Sequence, residues 1–113
     1  MLPNMTDTDR LIRQFIGGDA AATARITELA RTSQEPVLLV AAALIEPGAP
    51  GLLARAGRRA ASTRDRQLVA IAAAHLGGDH ERVDALARDH LVDHPDNILV
   101  AWIAGAHHHR EDS

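Results

Sequence analysis

The chain has no cysteine, which excludes a disulfide framework, a thiolate metal site and a cysteine nucleophile. Tyrosine is absent too, and Phe15 and Trp102 are the only aromatic residues. No aromatic series is therefore present on which the bases of a single strand could stack. Lysine is missing: all twelve basic side chains are arginine, and the net charge is −3. A mildly acidic balance leaves no general electrostatic footprint for nucleic acid. Long apolar runs are lacking as well. The longest, Val37–Ile45, is far short of the ~20 residues that cross a bilayer, so no membrane partner is expected. No basic leader precedes an apolar segment at the N-terminus, so no secretory signal is read. The expectation is a soluble, cytoplasmic protein.

What is present points to helices. The 113 residues leave room for one domain, 1–113, with 1–6 and 108–113 expected as flexible termini. A chain of this length buries roughly two-thirds of its unfolded surface. Apolar residues make up 46%, too many for intrinsic disorder at so low a net charge. Alanine supplies much of that content, and it is both the best helix former and small enough to let helix backbones approach.

Gly18, Gly48 and Gly78 recur at intervals of thirty, with Asp following as Gly17-Gly18-Asp19 and Gly77-Gly78-Asp79. Between them, Leu38-Leu39-Val40-Ala41-Ala42 aligns with Leu68-Val69-Ala70-Ile71-Ala72 and Ile98-Leu99-Val100-Ala101-Trp102. A weaker first copy covers 8–17. Each unit reads as two helices. The first is apolar almost all round, over 36–46, 66–76 and 97–107, as suits a helix buried on several sides. The second is amphipathic, over 20–32, 50–61 and 79–93; in the last, Val83, Leu86, Ala87, His90 and Leu91 share a face. Strand alternation holds nowhere. Gly77 is expected to adopt the left-handed conformation that ends a helix, Asp79 to cap the next, and Ser62 with Asp65 to form a capping box. Pro36, Pro50 and Pro95 sit near helix starts. Short connections then set neighbours antiparallel. The predicted fold is all-α: a short α-solenoid of about three and a half helix hairpins, each covering its neighbour's apolar face.

The segment Gly78-Asp79 through Pro95-Asp96-Asn97 resembles the second half of a tetratricopeptide repeat, a turn, an amphipathic helix and a closing Pro. The resemblance is degenerate. His90 stands where alanine is usual, Gln67, Ile71 and Ala74 replace the family's Trp, Gly and Tyr, and the period is shorter than that family's, which is about thirty-four. Over roughly 36–103 the chain is similar to the tetratricopeptide repeat protein 38-like family, through Ser62-Thr63-Arg64-Asp65-Arg66 and Ala87-Arg88-Asp89-His90-Leu91-Val92-Asp93-His94-Pro95-Asp96. That resemblance implies a helical solenoid, His90 packed at a hairpin interface and His94 before the proline, and no particular activity. A HEAT-like stack is the alternative architecture.

No catalytic or cofactor motif stands out, so the chain is read as non-enzymatic and without a cofactor. Arg55, Arg58 and Arg59 share a helix face, with Arg64 and Arg66 beyond; such a cluster either grips a phosphate or acidic partner through bidentate forks or is a solvated surface. Trp102 is either an interface anchor or a large filler at the end of the stack. The helix 97–107 has no following partner, so an apolar face is expected to be covered by self-association as a homodimer. Seven histidines form the alternative site. His90 and His94 lie four apart, and His75, His80, His107, His108 and His109 are expected at one end of the stack, where imidazoles can bind Zn²⁺ or Ni²⁺. The leading expectation is a protein–protein interaction module; a His-rich metal-dependent binder or small enzyme comes second, and a weak nucleic-acid binder through Arg55–Arg66 third.

Overall fold

The computed structural model describes residues 5–49 and 51–112, and the side chains of 7–49 and 51–106. Among the described residues there are seven α-helices and no strand, and the chain divides into two compact units, Met1–Arg59 and Ala60–Ser113. No helix of the described residues is long and apolar enough to cross a membrane.

The first unit holds α1 (Met5–Ile16), α2 (Ala20–Leu29), α3 (Pro36–Ile45) and α4 (Leu52–Arg59). Each packs on the next, and α1 also reaches α3. The sequence Gly17-Gly18-Asp19 both ends α1 and starts α2. Gly18 takes a φ of +92°, its N–H donates to the Phe15 carbonyl at 3.0 Å, and the Asp19 N–H donates to that of Gln14 at 2.9 Å. This is the paired closure that satisfies the last carbonyls of a helix, and it requires a residue free of a Cβ at the left-handed position. Asp19 then turns its carboxylate on the first turn of α2, accepting from the N–H groups of Ala21 and Ala22, whose partners would otherwise be water.

Helix α3 starts on Pro36 in its first turn. Leu38 to Ala43 are all buried, none above 3% exposure, so this helix is enclosed on every side, as its all-round apolar sequence predicts. Full burial of a side chain such as Leu39 contributes about 1.5–3 kcal/mol. Helix α2 stops at Leu29, three residues before its expected end. Arg31, Thr32 and Ser33 instead turn back, with N–H bonds to the carbonyls of Glu28 and Leu29, and 31–35 becomes a non-helical connection.

The second unit holds α5 (Thr63–Leu76), α6 (His80–Asp93) and α7 (Ile98–Asp112), with α5 touching both of the others and α6 packed on α7. Helix α5 begins three residues before 66 because Ser62 caps it: the Ser62 Oγ accepts from the Asp65 N–H at 3.0 Å. Gly77-Gly78-Asp79 repeats the closure of the first unit, with the Gly78 N–H on the His75 carbonyl and that of Asp79 on Ala74. The left-handed residue is Gly78, at φ +75°, while Gly77 stays right-handed at −83°. The expectation for Gly77 is therefore corrected by one position. Along α6, Val83, Ala87 and His90 are buried, and Glu81, Arg82, Arg88 and Asp89 are exposed.

The thirty-residue beat is imperfect at its middle glycine. Gly48 is absent from the positive-φ residues; Gly51 takes that conformation instead, at +84°, and its carbonyl accepts the Arg55 N–H that opens α4.

Candidate functional site

The α2–α3 connection and the exposed face of α4 enclose a cleft of about 420 Å³ lined by Arg31, Thr32, Gln34, Arg55, Arg58 and Arg59. On α4 the three arginines follow i, i+3, i+4 spacing, which places them on one face. The connection reaches them because α3 and α4 form a hairpin: the chain entering α3 lies at the end where α4 finishes. A bond fixes that approach, since Arg55 Nη2 donates to the Ser33 carbonyl at 2.9 Å. Arg55 is thereby half-buried and oriented, while Arg31, Arg58 and Arg59 remain exposed. Among the described residues no carboxylate lines the cleft, and the ion pairs Arg13–Asp9, Arg25–Glu28 and Arg64–Asp96 involve none of these four arginines. Guanidiniums so close together repel one another unless an anion sits among them.

Of the residues read from the sequence, Arg55, Arg58 and Arg59 come together here. Arg64 and Arg66 do not line the cleft: they belong to the second unit, where Arg64 lies 4.0 Å from Asp96 and Arg66 donates to the Ala61 carbonyl. Arg31, Thr32 and Gln34 are additions. A continuous helix over 20–32 hides Arg31 and Thr32, and Gln34 falls in the expected connection; hairpin topology places 31–35 beside the last turn of α4.

A larger groove of about 600 Å³ lies between α1, α2 and the start of α3, with Leu11, Leu29 and Leu38 among its lining. Its rim mixes Asp7 and Glu35 with Arg10 and Arg25. The Glu35 carboxylate is already held by the Thr8 hydroxyl, at 3.0 and 3.1 Å. It therefore carries no single sign of charge, unlike the arginine cleft.

The histidines divide. His90 is only 1% exposed and lies in the core of the second unit, hydrogen-bonded on both ring nitrogens. Asn97 caps α7, its Oδ1 accepting the Val100 N–H at 3.3 Å, which leaves its amide nitrogen to face His90 Nε2 at 2.9 Å. That nitrogen must then be unprotonated, and the proton sits on Nδ1, donated to Gln67 Oε1 at 2.7 Å. The bonding thus specifies a neutral imidazole. Burial holds its pKa below the ordinary 6.5, helped by the charges of His94 and Arg64 and opposed by those of Asp93 and Asp96. No buried polar side-chain atom of the described residues lacks a partner. His90 is therefore a structural residue with neither nitrogen open to a metal, and His94 stacks beside it, ring centroids 4.8 Å apart.

A base whose folded pKa is depressed takes up protons in the unfolded chain first. Stability from His90 should thus be fully present above about pH 6.5 and decline as the pH falls below that value. Chemical denaturation of the wild type and of His90→Gln over that range tests this: a pH slope below 6.5 that is equally steep in the variant removes His90 as its source.

His75 and His80, both half-buried, make contacts of their own. Among the described residues no three His, Asp or Glu side chains come together as a metal site. The side chains of His107, His108 and His109 lie outside the described residues. Trp102 is half-buried in α7, whose outer surface also carries the exposed Ala101 and Gly105.

The chain matches no family model, no curated protein and no solved structure among known proteins.

Proposed function

We propose that this protein is a non-catalytic interaction module, a short helical-hairpin stack of the tetratricopeptide-like kind, that holds an acidic segment of a partner protein in the arginine cleft. The observation that carries the reading is the convergence of Arg31, Arg55, Arg58 and Arg59 on one cleft without a carboxylate. Structural arginines on a helix surface are usually matched by acids at i±3 or i±4. Here α4 contains no acid at all, so the charge is left for something outside the chain. Arg forks suit such a role because they dock planar anions through two parallel N–H bonds.

The test is fluorescence anisotropy with a labelled glutamate-rich peptide and the full chain. Binding is expected at low salt and weakens as ionic strength rises, because exposed charges are screened within about 10 Å at 0.1 M. The triple variant Arg31→Ala/Arg58→Ala/Arg59→Ala is expected to bind roughly tenfold or more weakly. Equal affinity of wild type and triple variant, or no binding at low salt, ends the reading.

A further inference from the structure

Resting on the reading just given, we infer that the arginine cleft is built for a phosphate monoester dianion carried on a partner chain, and that a phosphorylated segment is its preferred ligand over a merely acidic one. Three features of the cleft point that way. The first is the number of charges. Arg31, Arg58 and Arg59 are exposed and take part in none of the ion pairs described, and Arg55 presents its remaining N–H groups from the wall. A single carboxylate brings one negative charge, whereas a phosphate monoester carries about −1.5 to −2 at pH 7.

The second is direction. Donors come from two sides: Arg55, Arg58 and Arg59 from α4, and Arg31, the Thr32 hydroxyl and the Gln34 amide from the α2–α3 connection. A carboxylate is planar and is satisfied by one fork lying in its plane. A phosphate has three terminal oxygens arranged tetrahedrally, which accept from forks that converge from different directions. Every polar side chain lining the cleft is able to donate, and of these side chains only those of Thr32 and Gln34 are also able to accept.

The third is the lack of anything to read a base. Neither Phe15 nor Trp102 lines the cleft, so a nucleotide's ring would find no aromatic platform there, and the phosphate is the part to which the forks are matched. The cleft also exists without rearrangement in its wall, since the Arg55–Ser33 bond already sets the connection against α4.

The experiment compares four probes on the full chain at physiological ionic strength: a phosphoserine peptide, the same peptide with Glu at that position, inorganic phosphate, and a single-stranded oligonucleotide. The phosphopeptide is expected to bind about tenfold tighter than its Glu counterpart, the margin of one further charge-assisted bond. Inorganic phosphate is expected to compete only weakly. Arg58→Ala/Arg59→Ala should abolish the preference, with helicity unchanged by circular dichroism, and Arg10→Ala, outside the cleft, should leave it intact. Equal affinity for phosphopeptide and Glu peptide overturns this inference and leaves the interaction module standing. Binding of neither peptide, at physiological ionic strength or at low salt, overturns both. Inorganic phosphate as tight as the phosphopeptide, or an oligonucleotide tighter than either peptide, overturns the assignment to a phosphorylated partner.

Discussion

Ile71→Ala is expected to lower the stability of the second unit by about 3–4 kcal/mol, near the upper part of the range for truncating a fully buried aliphatic side chain. Ile71 is 0% exposed and sits in α5, the helix that touches both α6 and α7. The rest of the core explains why the loss should be severe. Its large fully buried side chains are Leu68, Ile71, Val83, Leu99, Val100, Ile103 and His90, and the remainder, Ala72, Ala74 and Ala87, are alanines. Alanines have no rotamers with which to move into a vacated space, so the cavity stays open and the lost contacts are not regained. Ile71→Val, which removes one methyl, should cost about 0.5–1.5 kcal/mol. Small domains have total stabilities of about 5–15 kcal/mol, so the alanine variant is expected to lose a large share of the total. Urea titration followed by circular dichroism measures this; a loss under about 1 kcal/mol would contradict the placing of Ile71 at the centre of the unit.

Much of this core was legible because apolar spacing and burial share one cause. A run such as Leu38-Leu39-Val40-Ala41-Ala42 has no polar face to offer water, and α3 is enclosed accordingly. The ends of elements were legible where a side chain does the capping. Asp79 is expected as a cap and accepts from the Arg82 N–H; Asp19, which the sequence shows only as part of the repeated Gly-Gly-Asp, does the same for α2. Ser62 was read as a capping residue as well, yet the helix was started at 66; the Oγ bond to Asp65 makes 63–65 the first turn. Glycine identity was less informative than it looked. Gly18, Gly48 and Gly78 are evenly spaced, but Gly48 does not take the left-handed conformation that Gly18 and Gly78 share. Conformation is set by where the preceding helix ends and the next begins, and in 46–51 that falls on Gly51.

The candidate site was half legible. Helical spacing is enough to put Arg55, Arg58 and Arg59 on one face. Arg31 arrives from 24 positions earlier in the chain, as the difference between 55 and 31 shows, and its place depends on α2 ending at Leu29. That ending rests on turn hydrogen bonds between 28 and 33 that residue type alone does not reveal. The His90 network was less legible still. Burial of His90 was expected through the family resemblance, but its partners Gln67 and Asn97 lie on two other elements. Gln67 was noted only as a departure from a family tryptophan.

The same network yields the second large effect. Asn97→Ala removes the α7 cap, worth about 1 kcal/mol, and leaves His90 Nε2 buried without a donor, a penalty of about 1–3 kcal/mol. A total loss of roughly 2–4 kcal/mol is therefore expected. Asn97→Asp separates the two roles. Its carboxylate still accepts from the Val100 N–H, so the cap survives, but it has no N–H for Nε2 and can only accept from it. With Gln67 Oε1 still on Nδ1, the imidazole satisfies that arrangement by being protonated on both nitrogens. The folded pKa of His90, held below 6.5 in the wild type, should thus rise above its unfolded value beside the new charge. The sign of the pH dependence follows. In the wild type, the His90 contribution is present above about 6.5 and falls away in acid; in Asn97→Asp it should be fully present below the unfolded pKa and lost as pH rises through the raised folded value. Thermal midpoints of both proteins between about pH 5 and 8, the range in which histidine titrates, should therefore diverge in opposite directions. Parallel profiles would mean that Asn97 does not donate to His90, and the neutral tautomer deduced from the cap would have to be abandoned.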